Sequence, residues 1–387
     1  MKKYQIETVK LNKIVGGGQT LGVSPDGKKI FAWGGLPGET VEVEIHKNKK
    51  SYAEGVVTNV LAASPRRTQP MDDCYMSTSP WQIMDYEYEL ELKSQLIREA
   101  FELHGIDLAP PAITTDGNQY HYRNKMEYSL WWDHDTETTS LAFHKRGSHQ
   151  KVSINNSSIE RPEILNEAKN IIYDINERKL QARSFQSMVV RCNQAGEVSS
   201  ALFENGKSHP IMKNLTDTLL GRKFTYSPNG FFQINIPVYG LALTEIKKHI
   251  STDSVMDLYA GVGSIGLSVA DGKKLVSVES NASAFAELEK NAGPDAKCIL
   301  AKTEDVLDYI TDNATVIVDP PRAGLHDDVV SKLAEIAPPK IIYLSCNPVT
   351  QARDIAKLLP QYKITHVQGF NFFPRTPHIE SLIVLEK

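Results

Sequence analysis

The sequence predicts a multi-domain α/β chain in three parts: a small OB-like antiparallel β-barrel over residues 1–62, an α+β middle over 63–224, and a Rossmann-like, doubly wound, mostly parallel seven-stranded sheet over 225–387. Three observations carry this. The first part alternates short strand-like pieces with glycine-rich turns. The middle mixes strand-like pieces with one helix-like piece. From about residue 225, apolar runs of strand length recur between segments of helical period, as a parallel sheet with crossover helices requires. The 387 residues exceed one ordinary core.

Residues 11–61 contain "KIVGGGQTLGVSPDGKKIFAWGGLPGETVEVEIHKNKKSYAEGVVTNVL". Alternation in "ETVEVEI" and "AEGVVTNVL", with turns at Asp26-Gly27 and Pro37-Gly38, predicts the barrel. Barrels of this size often bind oligonucleotides, and Lys47, Lys49, Lys50 and Tyr52 offer charge and a stacking ring. A solvated lysine turn would look the same. Residues 1–70 hold eleven Lys/Arg against six Asp/Glu, although the whole chain carries a net charge of -4. A basic end points toward nucleic acid.

"SPRRTQP" marks a boundary, and "DYEYELELKSQLIREAFELHGI" then has helical spacing with Gly105 as its stop. This helix, near 85–105, is expected to pack on the C-terminal part. The middle follows with "KMEYSLWW", "SMVVRC" and "EVSSALFE" as strands and "RPEILNEAKNIIYDIN" as a helix. Its loops present Arg123, Lys125, Lys145 and Arg146 either to phosphates or simply to solvent.

Composition narrows the class. With 41% hydrophobic and 23% charged residues, the chain can bury cores and is not a disordered sequence. No apolar run nears the ~18 residues a membrane helix needs, and the start lacks a signal peptide's apolar stretch, so a cytoplasmic enzyme is expected. It is also expected to be a monomer. The four cysteines, Cys74, Cys192, Cys298 and Cys346, form no CxxC pair, which fits a reducing compartment and argues against zinc knuckles, although distant residues can still meet in the fold; no metal ligands are assigned from the sequence.

In the last part the strand candidates are "SVMDLY", "LVSVE", "AKCIL", "TVIVD", "KIIYLSC", "KITHVQGF" and "SLIVLE", the first five separated by helical segments. Ligands of such sheets lie beyond the strands' carboxyl ends, so those residues matter most. The first strand runs into Gly261-x-Gly263-x-x-Gly266, a turn that opens a helix near Ser264. The second ends in Glu279, placed to grip two ribose hydroxyls. A nucleoside-bearing cofactor follows, with NAD and S-adenosylmethionine both open. The fourth ends in "IVDPPRAGL", which puts Asp319 and Arg322 on a proline-stiffened loop: a site wall, or only a rigid turn. The fifth delivers Cys346 just before a helix start, where a thiolate can be stabilised; a merely structural cysteine would sit mid-strand. If the last strand is antiparallel, Glu380 at its beginning arrives beside Cys346, and one pocket then holds a nucleophile and a base.

Taken in order, "GFFQIN", "DLYAGVGSIGL", "VDPPRAGL", "LSCNPVT" and "FPRTPHIE" resemble the RNA uracil-C5 methyltransferase family over nearly the full chain, with residues 1–62 similar to its TRAM domain. The resemblance implies S-adenosylmethionine as cofactor, an RNA uridine as substrate and a covalent intermediate. It makes Cys346 of "SCNP" the nucleophile and Glu380 of "HIE" the base, with Gln233, Tyr259, Glu279 and Asp319 binding the cofactor. Ribosomal RNA of the large subunit is the favoured substrate, with transfer RNA as the other. Many relatives carry an iron–sulfur cluster after the TRAM domain. Here that region keeps only Cys74, so no cluster is expected. A dinucleotide oxidoreductase would use the glycines and Glu279 but leaves Cys346 and Glu380 idle. A base amino-methyltransferase would share the proline-rich loop without needing the cysteine, and a non-catalytic RNA-binding protein would need neither.

Overall fold

The computed structural model describes residues 4–148, 150–180, 182–204 and 207–387; the first three residues of the expected barrel lie outside it. Strands β1 (Gln5–Ile14), β2 (Thr20–Val23), β3 (Lys29–Trp33), β4 (Thr40–Asn48) and β5 (Tyr52–Ala62) close into a barrel in the order β1-β2-β3-β5-β4. Every second residue of β4 points inward: Val41, Val43 and Ile45 fill the interior with Val9, Leu11 and Ile30. The expectation of an all-antiparallel barrel needs one correction. β3 and β5 pair in parallel, because β4 lies between them in sequence and takes the antiparallel place beside β1.

A short helix α1 (Tyr75–Thr78) leads to α2 (Tyr86–Glu102), capped by the Asp85 carboxylate on the Tyr88 N–H at 2.8 Å. Leu92, Leu96, Ile97 and Phe101 form its buried stripe. Each contributes about 1.5–3 kcal/mol by burial. The middle contains a two-residue strand β6 (Ile113–Thr114), then β7 (Lys125–Asp133), β8 (Thr138–His144), β9 (Lys151–Ser153), α3 (Pro162–Glu177), β10 (Ser187–Cys192), β11 (Val198–Glu204) and β12 (Lys207–His209). Strands β7 to β12 form a six-stranded sheet under α3.

The hairpin β13 (Leu215–Leu219) and β14 (Arg222–Tyr226) shares its core with α4 (Ile236–Lys248), so its packing crosses the expected boundary at 225. Then follow β15 (Ser254–Leu258), α5 (Gly266–Val269), β16 (Lys274–Glu279), α6 (Ala282–Ala292), β17 (Ala296–Leu300), β18 (Ala314–Val318), α7 (Asp327–Ile336), β19 (Lys340–Ser345), α8 (Pro348–Leu358), β20 (Lys363–Phe370) and β21 (Glu380–Glu386). All seven expected strands form one sheet, ordered β17-β16-β15-β18-β19-β21-β20, and β6 pairs beside β20 as an eighth. Seven is therefore corrected to eight, since two residues are too few to leave a periodic signal. α5 is only one turn long and starts at Gly266, two residues from the expected start near Ser264. α2 packs on this sheet, its Leu96 and Phe101 sharing a core with Ile355 of α8 and Leu385 of β21.

Candidate active site

The sheet is parallel except for β21, which runs antiparallel to β19 and β20. That reversal builds the site. Ser345 pairs with Ser381 in the ladder, so one further step sets Cys346 opposite Glu380 at the rim where the parallel strands end. Gln351 of α8 fixes the two strands there: its side-chain N–H donates to the Tyr343 and Ser381 carbonyls at 2.8 and 3.1 Å, and its oxygen accepts from the Ser381 hydroxyl at 2.5 Å.

Gln233, Tyr259, Glu279, Asp319, Cys346 and Glu380, the six residues singled out in the sequence, line one cleft of about 1000 Å³. Each owes its place to a strand end or a held loop. Tyr259 follows β15 at φ 64°, a left-handed conformation that an aromatic residue adopts only when its surroundings impose it. Gly261 follows at φ 57°, with its N–H donating to a Glu279 oxygen at 2.8 Å; the other Glu279 oxygen accepts from the Asn281 N–H at 2.6 Å. A side chain at Gly266 would meet the Asp257 carboxylate at 2.7 Å, so the helix starts hard against β15.

The proline loop after β18 is tied to the cysteine loop. The Asn347 amide donates to the Arg322 carbonyl at 2.9 Å, and Asn347 also caps α8 through the Val349 N–H. Gln233 is held from behind by Arg191, a fully buried guanidinium whose N–H groups donate to the Gly230 and Phe232 carbonyls at 3.2 and 2.7 Å, and by Asn124 on the Gln233 carbonyl at 3.1 Å. Composition alone gave no sign of Arg191, because a lone arginine in a strand reads as an exposed residue.

Electrostatics correct one expectation. Burial, together with the Glu380 and Asp319 carboxyls, pushes the Cys346 thiol up to about 11 despite the opposing Arg322 charge, so the resting residue is a thiol and not a thiolate. The helix start was the expected stabiliser, but enclosure and acidic neighbours outweigh it. Burial also holds the Glu380 carboxyl well above its usual range, with Asp319 adding to the shift. Asp319 is pushed up to about 7 by burial and by Asp257, which is itself raised to about 7. Five carboxyl side chains line the cleft against only Lys302 and Arg322. Such a cavity favours a cation.

The expected RNA contacts divide. Lys49 and Lys50 are exposed, whereas Lys47 pairs with Glu54 at 2.7 Å. Arg146 stacks on Trp33 of the barrel at 4.1 Å and donates to the Met76 carbonyl, and Arg123 bonds the Lys125 carbonyl; both work internally. Cys74 is buried with its thiol on the Asn156 carbonyl. Among the described residues no helix is long and apolar enough to cross a membrane.

Residues 300–387, which carry Asp319, Cys346 and Glu380, match the family model described as tRNA (uracil-5-)-methyltransferase. Over these residues the chain is similar to the RNA uracil-C5 methyltransferase family. Curated RNA methyltransferases match it over nearly its whole length. It is 28% identical to an uncharacterized RNA methyltransferase of Fusobacterium nucleatum over 100% of this chain and 97% of the relative. An uncharacterized RNA methyltransferase of Enterococcus faecalis is 29% identical over 95% of this chain and 94% of its own. The methyltransferase also shares the fold of the Pyrococcus abyssi tRNA (uracil-54, C5)-methyltransferase, a structure in complex with S-adenosyl-L-homocysteine, at a TM-score of 0.77 and 23% identity over 98% and 100% of the two chains.

Proposed function

We propose that this enzyme methylates carbon 5 of a uridine in RNA, with S-adenosylmethionine as donor, through a transient bond between Cys346 and carbon 6. The observation that carries the reading is the antiparallel register that sets Cys346 opposite Glu380 on the cleft rim. A base amino-methyltransferase would have no use for that pair.

The residues fit the cofactor. Each Glu279 oxygen accepts one backbone N–H and keeps a lone pair for a ribose hydroxyl. The excess of carboxylates suits a sulfonium, and Gln233, Tyr259 and Asp319 stand around the same space. When bound, the cofactor supplies an electrophilic methyl group.

Carbon 5 of uracil is a poor nucleophile until a sulfur adds at carbon 6 and turns the ring into an enolate. Cys346 must first give its proton to solvent water, which its raised resting value opposes. A cleft that has gained a positive charge lowers the values of Cys346, Asp319 and Glu380 together, so deprotonation is coupled to the occupied state. After carbon 5 gains its methyl group, its remaining proton passes to the Glu380 carboxylate. The carbon 6–sulfur bond then breaks, and the ring double bond is restored. A stacked uridine hides both faces, so the base is flipped into the cleft. The barrel, read as a TRAM domain, and the middle sheet would hold the strand meanwhile.

General-base assistance is worth about 10²–10⁴ in rate. Glu380→Gln is therefore expected to accumulate a protein–RNA adduct visible on a denaturing gel, and Cys346→Ala to form none. A Cys346→Ala variant that methylates at the wild-type rate would reject the mechanism. Transfer RNA is the substrate to assay first, since it is the RNA that the matching family description and the Pyrococcus enzyme's name carry. Large-subunit ribosomal RNA, favoured by the sequence reading, is the second arm.

A further inference from the structure

A second cluster of chemistry-bearing side chains lies on the same face of the sheet as α4 but outside the cleft. Glu245 and His249 stand one turn apart at the end of α4, on one face of the helix, and His366 reaches them from β20. His366 is there because of a β-bulge. The ladder pairs Ile364 with Leu385 and His366 with Val384, so one extra residue separates them. Ile364 consequently faces the α2 side with Leu385, while His366 faces the α4 side with Val384. A regular strand would have put both on one face.

The donor atoms have a telling spacing. Glu245 Oε1 lies 3.3 Å from His249 Nε2 and 3.5 Å from His366 Nε2. Both are long for an N–H···O bond, which favours 2.7–3.2 Å. They match the ~3.3 Å edge of a tetrahedron whose metal–ligand bonds are ~2.0–2.1 Å. The three donors all lie within 4.8 Å of one another. Two neighbours complete the arrangement. Lys248 Nζ takes the other Glu245 oxygen at 2.6 Å, which turns Oε1 toward the imidazoles. The Gln368 side-chain oxygen sits 3.1 Å from His366 Nε2, and its amide donates to Thr114, so that oxygen stays aimed at the cluster.

We propose that Glu245, His249 and His366 form a binding site for one divalent transition-metal ion of the zinc class, with Gln368 or water in the fourth position. Two imidazoles and one carboxylate suit zinc, cobalt or nickel, and not magnesium or calcium, which take oxygen donors. All three side chains are partly exposed, so an ion can enter from solvent. Bound there, it would clip the end of α4 to β20, and α4 begins three residues after Gln233.

The test is a titration of the metal-free, full-length protein with Co²⁺, read by the visible bands of a tetrahedral site, followed by competition with Zn²⁺ and with excess Mg²⁺. One Co²⁺ per chain at micromolar concentration is expected, displaced by Zn²⁺ and not by Mg²⁺. Affinity should fall at least about tenfold in His249→Ala/His366→Ala and in Glu245→Gln, because three protein ligands are needed to hold such an ion. The Glu245→Gln change keeps the helix and the side-chain volume, so a misfolded double variant would not leave the question open. Absence of bands at micromolar Co²⁺ would overturn the proposal, as would bands that persist unchanged in the variants or vanish only in Cys346→Ala.

Discussion

Asp319 illustrates how one carboxyl can couple the fold to its ligand. Burial first, and Asp257 second, hold it at about 7 against a usual value of 3.8. The folded chain therefore keeps a proton that the unfolded chain has lost. The associated stability is full below the unfolded value and disappears as pH rises through about 7. A cationic ligand reverses the balance by drawing the carboxylate into its charged form. We expect the ligand-free wild type to lose more melting temperature than Asp319→Asn between about pH 6 and pH 8. Over the same interval S-adenosylmethionine should gain up to about tenfold in affinity, as expected for one linked proton. The uncharged thioether product S-adenosylhomocysteine should gain much less. Calorimetric titrations of both ligands against wild type and variant decide it, and parallel curves for the two ligands would count against the coupling. Differences between wild type and variant also remove His378, whose value is lowered to about 4 by burial and by Arg322 and which titrates identically in both.

At the scale of elements, the loop that delivers Glu380 is fixed by a helix that is distant in sequence. Lys93 and Glu89 of α2 are fully buried and paired at 3.0 Å. Lys93 donates to the Asn371 side chain at 2.6 Å and the Phe373 carbonyl at 3.1 Å, while the Glu89 carboxylate accepts the Arg375 backbone N–H at 3.0 Å. Arg375 itself holds φ 63° and donates to the Met84 carbonyl at 2.7 Å. Removing one partner of a buried pair costs about 3–5 kcal/mol, because the other charge stays enclosed. Lys93→Met should lower the unfolding free energy, read by urea titration, by that much, and adding Glu89→Gln should recover part of it. A single variant as stable as wild type would contradict the account. This network explains where sequence reading ended. Cys346, Asp319 and Glu279 were legible because strand ends in a parallel sheet announce themselves through apolar runs, and Glu380 because β21 starts with it. Lys93 and Glu89 were not, since charged residues at helical spacing look like a solvated face until their partners, nearly three hundred residues away, are known. The protonation of Cys346 was misjudged for the same reason: it depends on what encloses the sulfur, and enclosure is a tertiary fact.

Across the whole molecule the barrel is not a loosely tethered appendage. Ile14 and Leu36 share a core with Trp81 and the methyltransferase sheet, and Trp81 donates from its ring N–H to the Gly18 carbonyl at 3.2 Å. Any side chain at Gly18 would collide with Pro377, three residues before Glu380, at 2.2 Å. The buried Glu39 carboxylate, bound by Arg67 at 2.6 Å, anchors the barrel's other flank. Cutting away residues 1–62 would therefore expose Trp81 and free the loop before Glu380, mixing loss of RNA contacts with damage to the site. Point changes separate the two. Lys49 and Lys50 are exposed at the β4–β5 turn, so alanine at both leaves the core untouched. If they meet phosphates, Lys49→Ala/Lys50→Ala should weaken RNA binding similarly for every sequence and make the dependence of log affinity on log salt shallower by about two, one for each contact. Cofactor affinity should stay at the wild-type value. Filter binding of RNA at several salt concentrations, beside calorimetry of the cofactor, distinguishes the outcomes. An unchanged salt slope would assign the turn to solvent, and a parallel loss of cofactor binding would mean that the barrel acts through the Gly18–Pro377 contact instead.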